Sequence, residues 1–254
     1  MATKLDGAVA LVTGASSGIG EATARRLAAE GASVALVARR RDRLETIAAS
    51  LASTGRRAIV VETDVVDRDQ ARRAVERTIA ELGRLDILVN SAGLALLGPI
   101  AEEPEEEWER MLALNLQAVL TITRAALPHL IRAAGDSARR VSDLVNVSST
   151  AGRVARPSQG VYALTKSGLI AFSESLRQEI QPQRVRVSVI EPGIVQTEIE
   201  TQLRQEVRDA VSKQTAGVER LLPEDVADAI AYIVTRDRRV AVNEMLVRAG
   251  AQTW

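Results

Sequence analysis

Cysteine is absent from the 254-residue chain. Disulfides, thiolate nucleophiles and zinc–thiolate sites are therefore excluded. Histidine occurs once, as His129, so a metal site built on several histidines cannot form within one chain. A Ser-His-Asp hydrolase would have to use that histidine, in Leu127-Pro128-His129-Leu130 near an expected helix end, and no G-x-S-x-G turn accompanies it. Aromatic residues are 2% of the chain, and tyrosine stands only at Tyr162 and Tyr232. Lysine is confined to Lys4, Lys166 and Lys213. Excess charge is also missing: 33 basic residues balance 33 acidic ones, so no global positive field exists to attract phosphate backbones. The arginine doublets, such as Arg25-Arg26 and Arg72-Arg73, lie among acidic residues and read as solvated surface. Met1 to Gly7 lacks a signal-peptide pattern, and no apolar run approaches the roughly 18 residues of a membrane helix. The expectation is a soluble, cytoplasmic protein that holds no metal and binds neither nucleic acid nor membrane.

What is present is a core-forming composition, 46% hydrophobic, with apolar runs alternating with amphipathic stretches from end to end. Strands are expected at Ala8 to Val12, Ser33 to Ala38, Ala58 to Glu62, Leu85 to Asn90, Leu144 to Ser148, Val185 to Ile190 and Met245 to Val247. Helices are expected at Gly18 to Glu30, Arg41 to Thr54, Asp67 to Leu82, from about Pro104, across Tyr162 and Lys166, and from Pro223 to Val234. Short continuous apolar strands between helices imply a parallel sheet covered on both faces. The fold class is α/β: a single-domain Rossmann fold spanning 1–254, a doubly wound sheet of about seven strands. Two stretches lack a strand pattern and are expected to be mobile, Ala134 to Val141 and a substrate segment at about 196–217. The acidic cluster around Pro104 reads as a helix start, where carboxylates meet the favourable end of the dipole.

Between the first strand and helix lies Thr13-Gly14-Ala15-Ser16-Ser17-Gly18-Ile19-Gly20. Glycines let the backbone approach a ligand closely, and the helix start offers free N–H groups to a phosphate. The spacing is G-x-x-x-G-x-G, neither the G-x-G-x-x-G fingerprint nor a P-loop. At the tip of the second strand, where an NAD-binding fold carries an acidic residue for the ribose 2′-OH, this chain has Ala38-Arg39-Arg40-Arg41. Guanidinium groups there pair with a 2′-phosphate, which points to NADP(H), with Arg39 the first candidate and Arg40 the second.

Tyr162-Ala163-Leu164-Thr165-Lys166 places a phenol and an ammonium at i and i+4 on one helix face. A cation about 4 Å away, at an effective dielectric of about 20, is worth on the order of 4 kcal/mol. That would lower the phenol's pKa by roughly 3 units, towards working pH. Upstream, Ser149 follows a strand, and Asn90 ends another, where substrate or cofactor atoms are reached in open α/β sheets.

With these residues assembled, the chain resembles the short-chain dehydrogenase/reductase family over nearly its whole length. The resemblance rests on the Thr13 to Gly20 turn, Asp64, the Asn90 to Gly93 turn, Asn115, Ser149, Tyr162, Lys166 and Pro192-Gly193. It implies that Tyr162 transfers the proton, Ser149 orients the carbonyl, Lys166 tunes Tyr162 and holds the nicotinamide ribose, and Asn115 supports a relay water. It implies cofactor contacts from Gly14, Ser16, Ser17, Gly18, Ile19 and Gly20, from Asp64 and Val65 at the adenine, from Asn90, Ala92 and Gly93, and from Pro192, Gly193, Ile194 and Thr197 around the nicotinamide. A homotetramer, or a homodimer, is implied as well. Ala38-Arg39-Arg40 and Val185 to Thr197 are similar to the family's NADP-preferring branch, and Asn243 to Arg248 is similar to clavulanic-acid-dehydrogenase-like reductases and the broad 3-hydroxy-acid dehydrogenases.

The expected activity is therefore hydride transfer between NADPH and a ketone or aldehyde, in the direction of reduction. A catalytically silent NADP-binding sensor or scaffold is the alternative, and filled catalytic positions speak against it. The substrate pocket is expected from Leu94, Leu96 and Leu97, from Gly152 to Val154, and from the 196–217 segment. This lining suits a hydrophobic or bicyclic carbonyl compound, with Arg153 and Arg156 as candidates for any carboxylate. Three features depart from the family pattern: Ser91 in the fourth-strand turn, the arginine-rich Gly135 to Val141 segment, and terminal Trp254, expected to pack on a neighbouring subunit.

Overall fold

The computed structural model describes residues 3–253, apart from the side chain of Gln214; Trp254 lies outside the described residues. Seven strands form one sheet: β1 (Val9–Thr13), β2 (Ser33–Ala38), β3 (Ala58–Glu62), β4 (Ile87–Asn90), β5 (Ser142–Val147), β6 (Val185–Pro192) and β7 (Glu244–Val247). All pairings are parallel and the order is β3-β2-β1-β4-β5-β6-β7. The order reverses between β1 and β4, and the crevice beyond their carboxyl ends is where such sheets bind ligands.

Period-two alternation sorts each strand's side chains to the two faces. Ala10, Val12, Val34 and Leu36 join one core with helices α1 (Gly18–Ala29), α2 (Arg41–Ser53) and α8 (Pro223–Val234). Leu11, Ala35 and Val37 join the other with α3 (Arg68–Leu82), α5 (Ala118–Asp136) and α6 (Gly160–Ile180). Asp67 caps α3 by accepting from the backbone N–H groups of Asp69 (2.9 Å) and Gln70 (3.0 Å), and Gly83 closes that helix in the left-handed region.

The long helix expected from Pro104 is compound. Pro104 precedes α4 (Glu105–Leu112), a π-helical turn covers Ala113–Gln117, and α5 follows without a break. Glu105–Asp136 is long and apolar enough, by length and composition, to cross a membrane, contrary to the sequence reading. Within it, Ile122, Ala126 and Leu130 are buried against the sheet. His129 is not near a helix end: α5 carries Pro128 in its interior and runs on to Asp136.

In the Ala134 to Val141 stretch α5 ends at Asp136 and a turn leads into β5, and its Arg139 is explained by a buried carboxylate. Asp143, fully buried on β5, accepts from Arg139 (2.6 Å) and from Arg186 of β6 (2.7 Å). The 196–217 segment is helical, with a 3-10 turn (Glu198–Gln202) and α7 (Gln205–Gln214). A bridge between Val195 and Leu221 closes the base of this excursion from the sheet.

Candidate active site

The turn after β1 is shaped by its glycines. Gly14 has φ +69°, and a Cβ there would stand 2.9 Å from the Cα of Ala92; a Cβ on Gly20 would stand 2.3 Å from the Gly14 carbonyl oxygen. The turns after β1 and β4 thus touch backbone to backbone. Thr13 joins them, its hydroxyl accepting from the N–H groups of Ser91 (3.0 Å) and Ala92 (3.1 Å). These bonds reach the main chain of Ser91 and Ala92 and leave the Ser91 side chain out of the joint.

A cavity of about 680 Å³ opens beside these turns. Of the expected cofactor residues, it is lined by Gly14, Ser16, Ser17, Gly18, Ile19, Gly20, Arg39, Arg40, Asp64, Val65, Ala92, Gly93 and Thr197. Asn90 is not among its lining: it is buried, donating to Asn146 (2.8 Å) and Thr123 (3.2 Å), and so ties β4 to β5 and α5. Pro192, Gly193 and Ile194 also lie outside the lining, with the Ile194 N–H donating to Gln252 (3.0 Å). Sequence reasoning missed Thr63, Arg110 and Leu114 in the wall, and it expected Glu198 and Gln202 only as part of the 196–217 substrate segment. Arg110 and Leu114 share a helical stretch at i and i+4, a spacing that marks a common face but gives no sign of what it faces.

The cavity suits a dinucleotide. It has a backbone cradle no side chain fills, the free N–H groups of the α1 start, and basic groups at the tip of β2. Arg39 is exposed, and among the described residues no carboxylate pairs with it. Arg40 is committed, donating to Ser16 (3.1 and 3.0 Å), Ser17 (2.7 Å) and Glu198 (2.8 Å).

The expected catalytic residues Asn115, Ser149, Tyr162 and Lys166 are not among the cavity's lining residues, although Tyr162 and Lys166 are also expected to touch the cofactor; Asn115 and Lys166 lie behind the lining at Gly93, and Tyr162 packs with Leu94. Ser149, just beyond β5, has its oxygen held by the Ala151 N–H (3.1 Å). Asn115, in the π-turn, accepts from the Leu94 N–H (2.9 Å) and donates to the Leu94 carbonyl (2.8 Å) and to Thr165 (3.2 Å). Its amide therefore clamps the β4 exit to α6; π-turns of this kind concentrate at functional sites. A Cβ placed on Gly93 would be 3.3 Å from Asn115 Oδ1 and 3.6 Å from Lys166 Nζ, so both reach this turn. Lys166 is 6% exposed, and its ammonium donates to the Val147 carbonyl at 2.9 Å.

Electrostatics here correct the sequence expectation. The net shift of the phenol is upward, against the downward shift expected from Lys166. Burial pushes Tyr162 above its ordinary value, and only Ser149, facing it, acts the other way. Burial also lowers Lys166, to about 8. Both shifts follow from removing charged forms from water.

Leu94 and Leu96 form an apolar wall with Met111, and Trp108, Val161 and Tyr162 pack against it. Gly152, expected in the substrate pocket, is instead a packing residue: a Cβ would stand 2.8 Å from Ile170 and 3.0 Å from the Lys166 backbone. Val154 is half exposed on the loop beyond. Arg153 is bound to Glu191 and Glu244, so it is not free for a ligand. Arg156, half-buried six residues before Tyr162, pairs with no carboxylate among the described residues; burial and the nearby Arg248 lower its pKa.

A parallel sheet with a Gly-rich first turn and a switch-point cleft defines a Rossmann-like fold. The family model for short chain dehydrogenase matches residues 8–208. The chain belongs to this family and is an oxidoreductase of it. It is 35% identical, over 98% of each chain, to an uncharacterized oxidoreductase of Methylorubrum extorquens. It is 38% identical to glycine betaine reductase of Emericella nidulans over 96% of this chain but only 19% of that much longer protein. A short chain dehydrogenase from Burkholderia cenocepacia, solved with NADP, is 31% identical with a TM-score of 0.84, covering 98% of this chain and 99% of that one. A 3-ketoacyl-(acyl-carrier-protein) reductase from Brucella melitensis, solved with NADH, is 29% identical with a TM-score of 0.83, covering 97% and 98%.

Proposed function

We propose that this protein is an NADP(H)-dependent reductase that interconverts a ketone or aldehyde with its alcohol, with Tyr162 as general acid and base. The observation that carries this reading is the convergence of Tyr162, Ser149 and Lys166 beside the apolar Leu94–Leu96 wall, behind Gly93 and Leu94 of the cleft's lining. Related structures hold NADP in one case and NADH in another, so the cofactor choice rests on Arg39, the unpaired guanidinium at the β2 tip.

When bound, the nicotinamide cofactor supplies the hydride for reduction and accepts it for oxidation. This chain's own groups handle position and protons. The Gly14–Gly20 turn and the α1 start would hold the pyrophosphate, and Asp64 with Val65 would border the adenine. Ser149 donates a hydrogen bond to the substrate oxygen. The Tyr162 phenol, kept protonated at neutral pH by its burial, delivers its proton to the oxygen as it gains negative charge. Lys166 places a positive charge near Gly93, where it would hold the nicotinamide ribose, and its field stabilises the phenolate left behind. Asn115 holds the β4 exit in register with α6. Leu94 and Leu96 receive the apolar body of a small-molecule substrate.

Reduction is the proposed direction, in the cytoplasm, where NADPH is kept reduced. All of this resides in a single catalytic domain in the NADP-preferring branch. A homotetramer is part of the proposal, supported by the exposed Leu120 of α5 (44%) and Leu164 of α6 (59%).

The test is NADPH oxidation against a panel of aldehydes and ketones, with Tyr162→Phe beside wild type. The variant is expected to lose at least about 100-fold in kcat/KM while binding NADPH normally. Full turnover by Tyr162→Phe would sink the mechanism.

A further inference from the structure

The 3-10 turn after β6 reaches back across the cofactor cleft to the start of α2. Thr197 caps this turn, its hydroxyl accepting from the Ile199 N–H at 3.4 Å. Glu198, next in the chain, accepts from Arg40 at 2.8 Å through one carboxylate oxygen and from Arg43 at 2.6 Å through the other. Arg40 in turn donates to the hydroxyls of Ser16 and Ser17 in the phosphate turn. One guanidinium thus joins the pyrophosphate loop, the tip of β2 and the segment beyond β6.

We propose that Glu198 is a built-in competitor for the cofactor's 2′-phosphate: its carboxylate holds the Arg40 guanidinium until that phosphate takes it over. The inference rests on the NADP(H) reading above. The carboxylate and Arg40 both line the cofactor cavity, at the end where the ribose 2′ position meets the β2 tip. The pair is displaceable, because Arg40 (41%) and Glu198 (44%) are both solvent-exposed and such pairs are worth little. A phosphate monoester carries more charge and three acceptor oxygens, so it is the stronger partner for the guanidinium fork. Arg43 gives the displaced carboxylate a place to stay. The two guanidiniums hold Glu198 ionised, with its pKa lowered to about 2, so it competes across the whole neutral range. A cofactor without the 2′-phosphate leaves the Glu198–Arg40 pair intact. Glu198 is therefore a specificity-determining residue that acts through Arg40.

The experiment is a binding titration of the full chain with NADPH, NADH and adenosine 2′,5′-bisphosphate. It compares wild type, Glu198→Gln, Arg40→Ala and the double variant. Glu198→Gln is expected to tighten NADPH and the bisphosphate by about fivefold and to leave NADH unchanged. In the Arg40→Ala background the same substitution is expected to change nothing. Weaker or unchanged NADPH binding, an equal shift for NADH, or an effect that persists without Arg40 would each overturn the proposal while leaving the cofactor reading intact. A wild-type protein that binds NADH as tightly as NADPH overturns the cofactor reading itself, and the proposal with it.

Discussion

The Lys166 ammonium donates to the Val147 carbonyl at 2.9 Å and stands 5.8 Å from the centre of the Tyr162 ring. The cation is therefore tethered to the end of β5, and the phenol beside it is governed by its own burial. This arrangement has consequences for stability, pH dependence and substrate choice.

Lys166 makes stability rise with pH. Its ammonium titrates near 10.5 unfolded and near 8 folded, so between these values the unfolded chain binds the additional proton. Stability then increases with pH across that window. The full effect is roughly 3 kcal/mol, present as a cost below pH 8. Thermal unfolding of the cofactor-free protein should show a rise in Tm from pH 8 towards pH 10 that Lys166→Met lacks. A wild-type profile flat across that range would contradict the assignment.

The rate of reduction should fall as pH rises through about 8, where Lys166 loses its charge. Tyr162, raised by burial, remains protonated there and adds no fall of its own. Profiles of kcat/KM report groups on the free enzyme. In Lys166→Arg the limb near 8 should vanish, whatever the remaining activity; its persistence would assign that limb to another group.

Arg39 should carry the preference for NADPH. Charge-assisted hydrogen bonds to a buried or partly buried anion are worth about 1.5–3 kcal/mol. Arg39→Ala should therefore raise the Michaelis constant for NADPH about tenfold or more and leave NADH unaffected. An unchanged constant for NADPH would remove the phosphate assignment.

Arg156 is the guanidinium of the 153–156 loop left without a carboxylate. Arg156→Ala should impair keto acids about tenfold in KM and leave neutral ketones unchanged, as loss of one charge-assisted contact predicts. Equal effects on both classes would make Arg156 a structural residue of that loop.

Much of the architecture was legible because it follows from local rules. Short apolar runs such as Val34 to Val37, bounded by turn residues and alternating with helical stretches, read as strands buried on both faces, and Gly14, Gly18 and Gly20 sit where a backbone must turn tightly. Pro223 begins α8 where the proline rule places it. Less legible was the helical stretch through Pro128, because packing against the sheet outweighs a proline's local cost. The close packing of Gly152 against α6 and the buried ties of Asn90 were not legible for a related reason: pattern locates a residue on the chain but does not say which way it points.

The sequence by itself determined the order of strands and helices, the phosphate turn, the arginines at the β2 tip and the presence of Ser149, Tyr162 and Lys166. These are properties of spacing and residue type. Only the tertiary structure decided that Lys166 is tied to Val147, that Tyr162 is raised rather than lowered, that Arg153 is spent on Glu191 and Glu244, and that Glu198 faces Arg40. Each of those depends on burial and on partners far away in the chain, and long-range contacts leave no period or motif in the sequence to read.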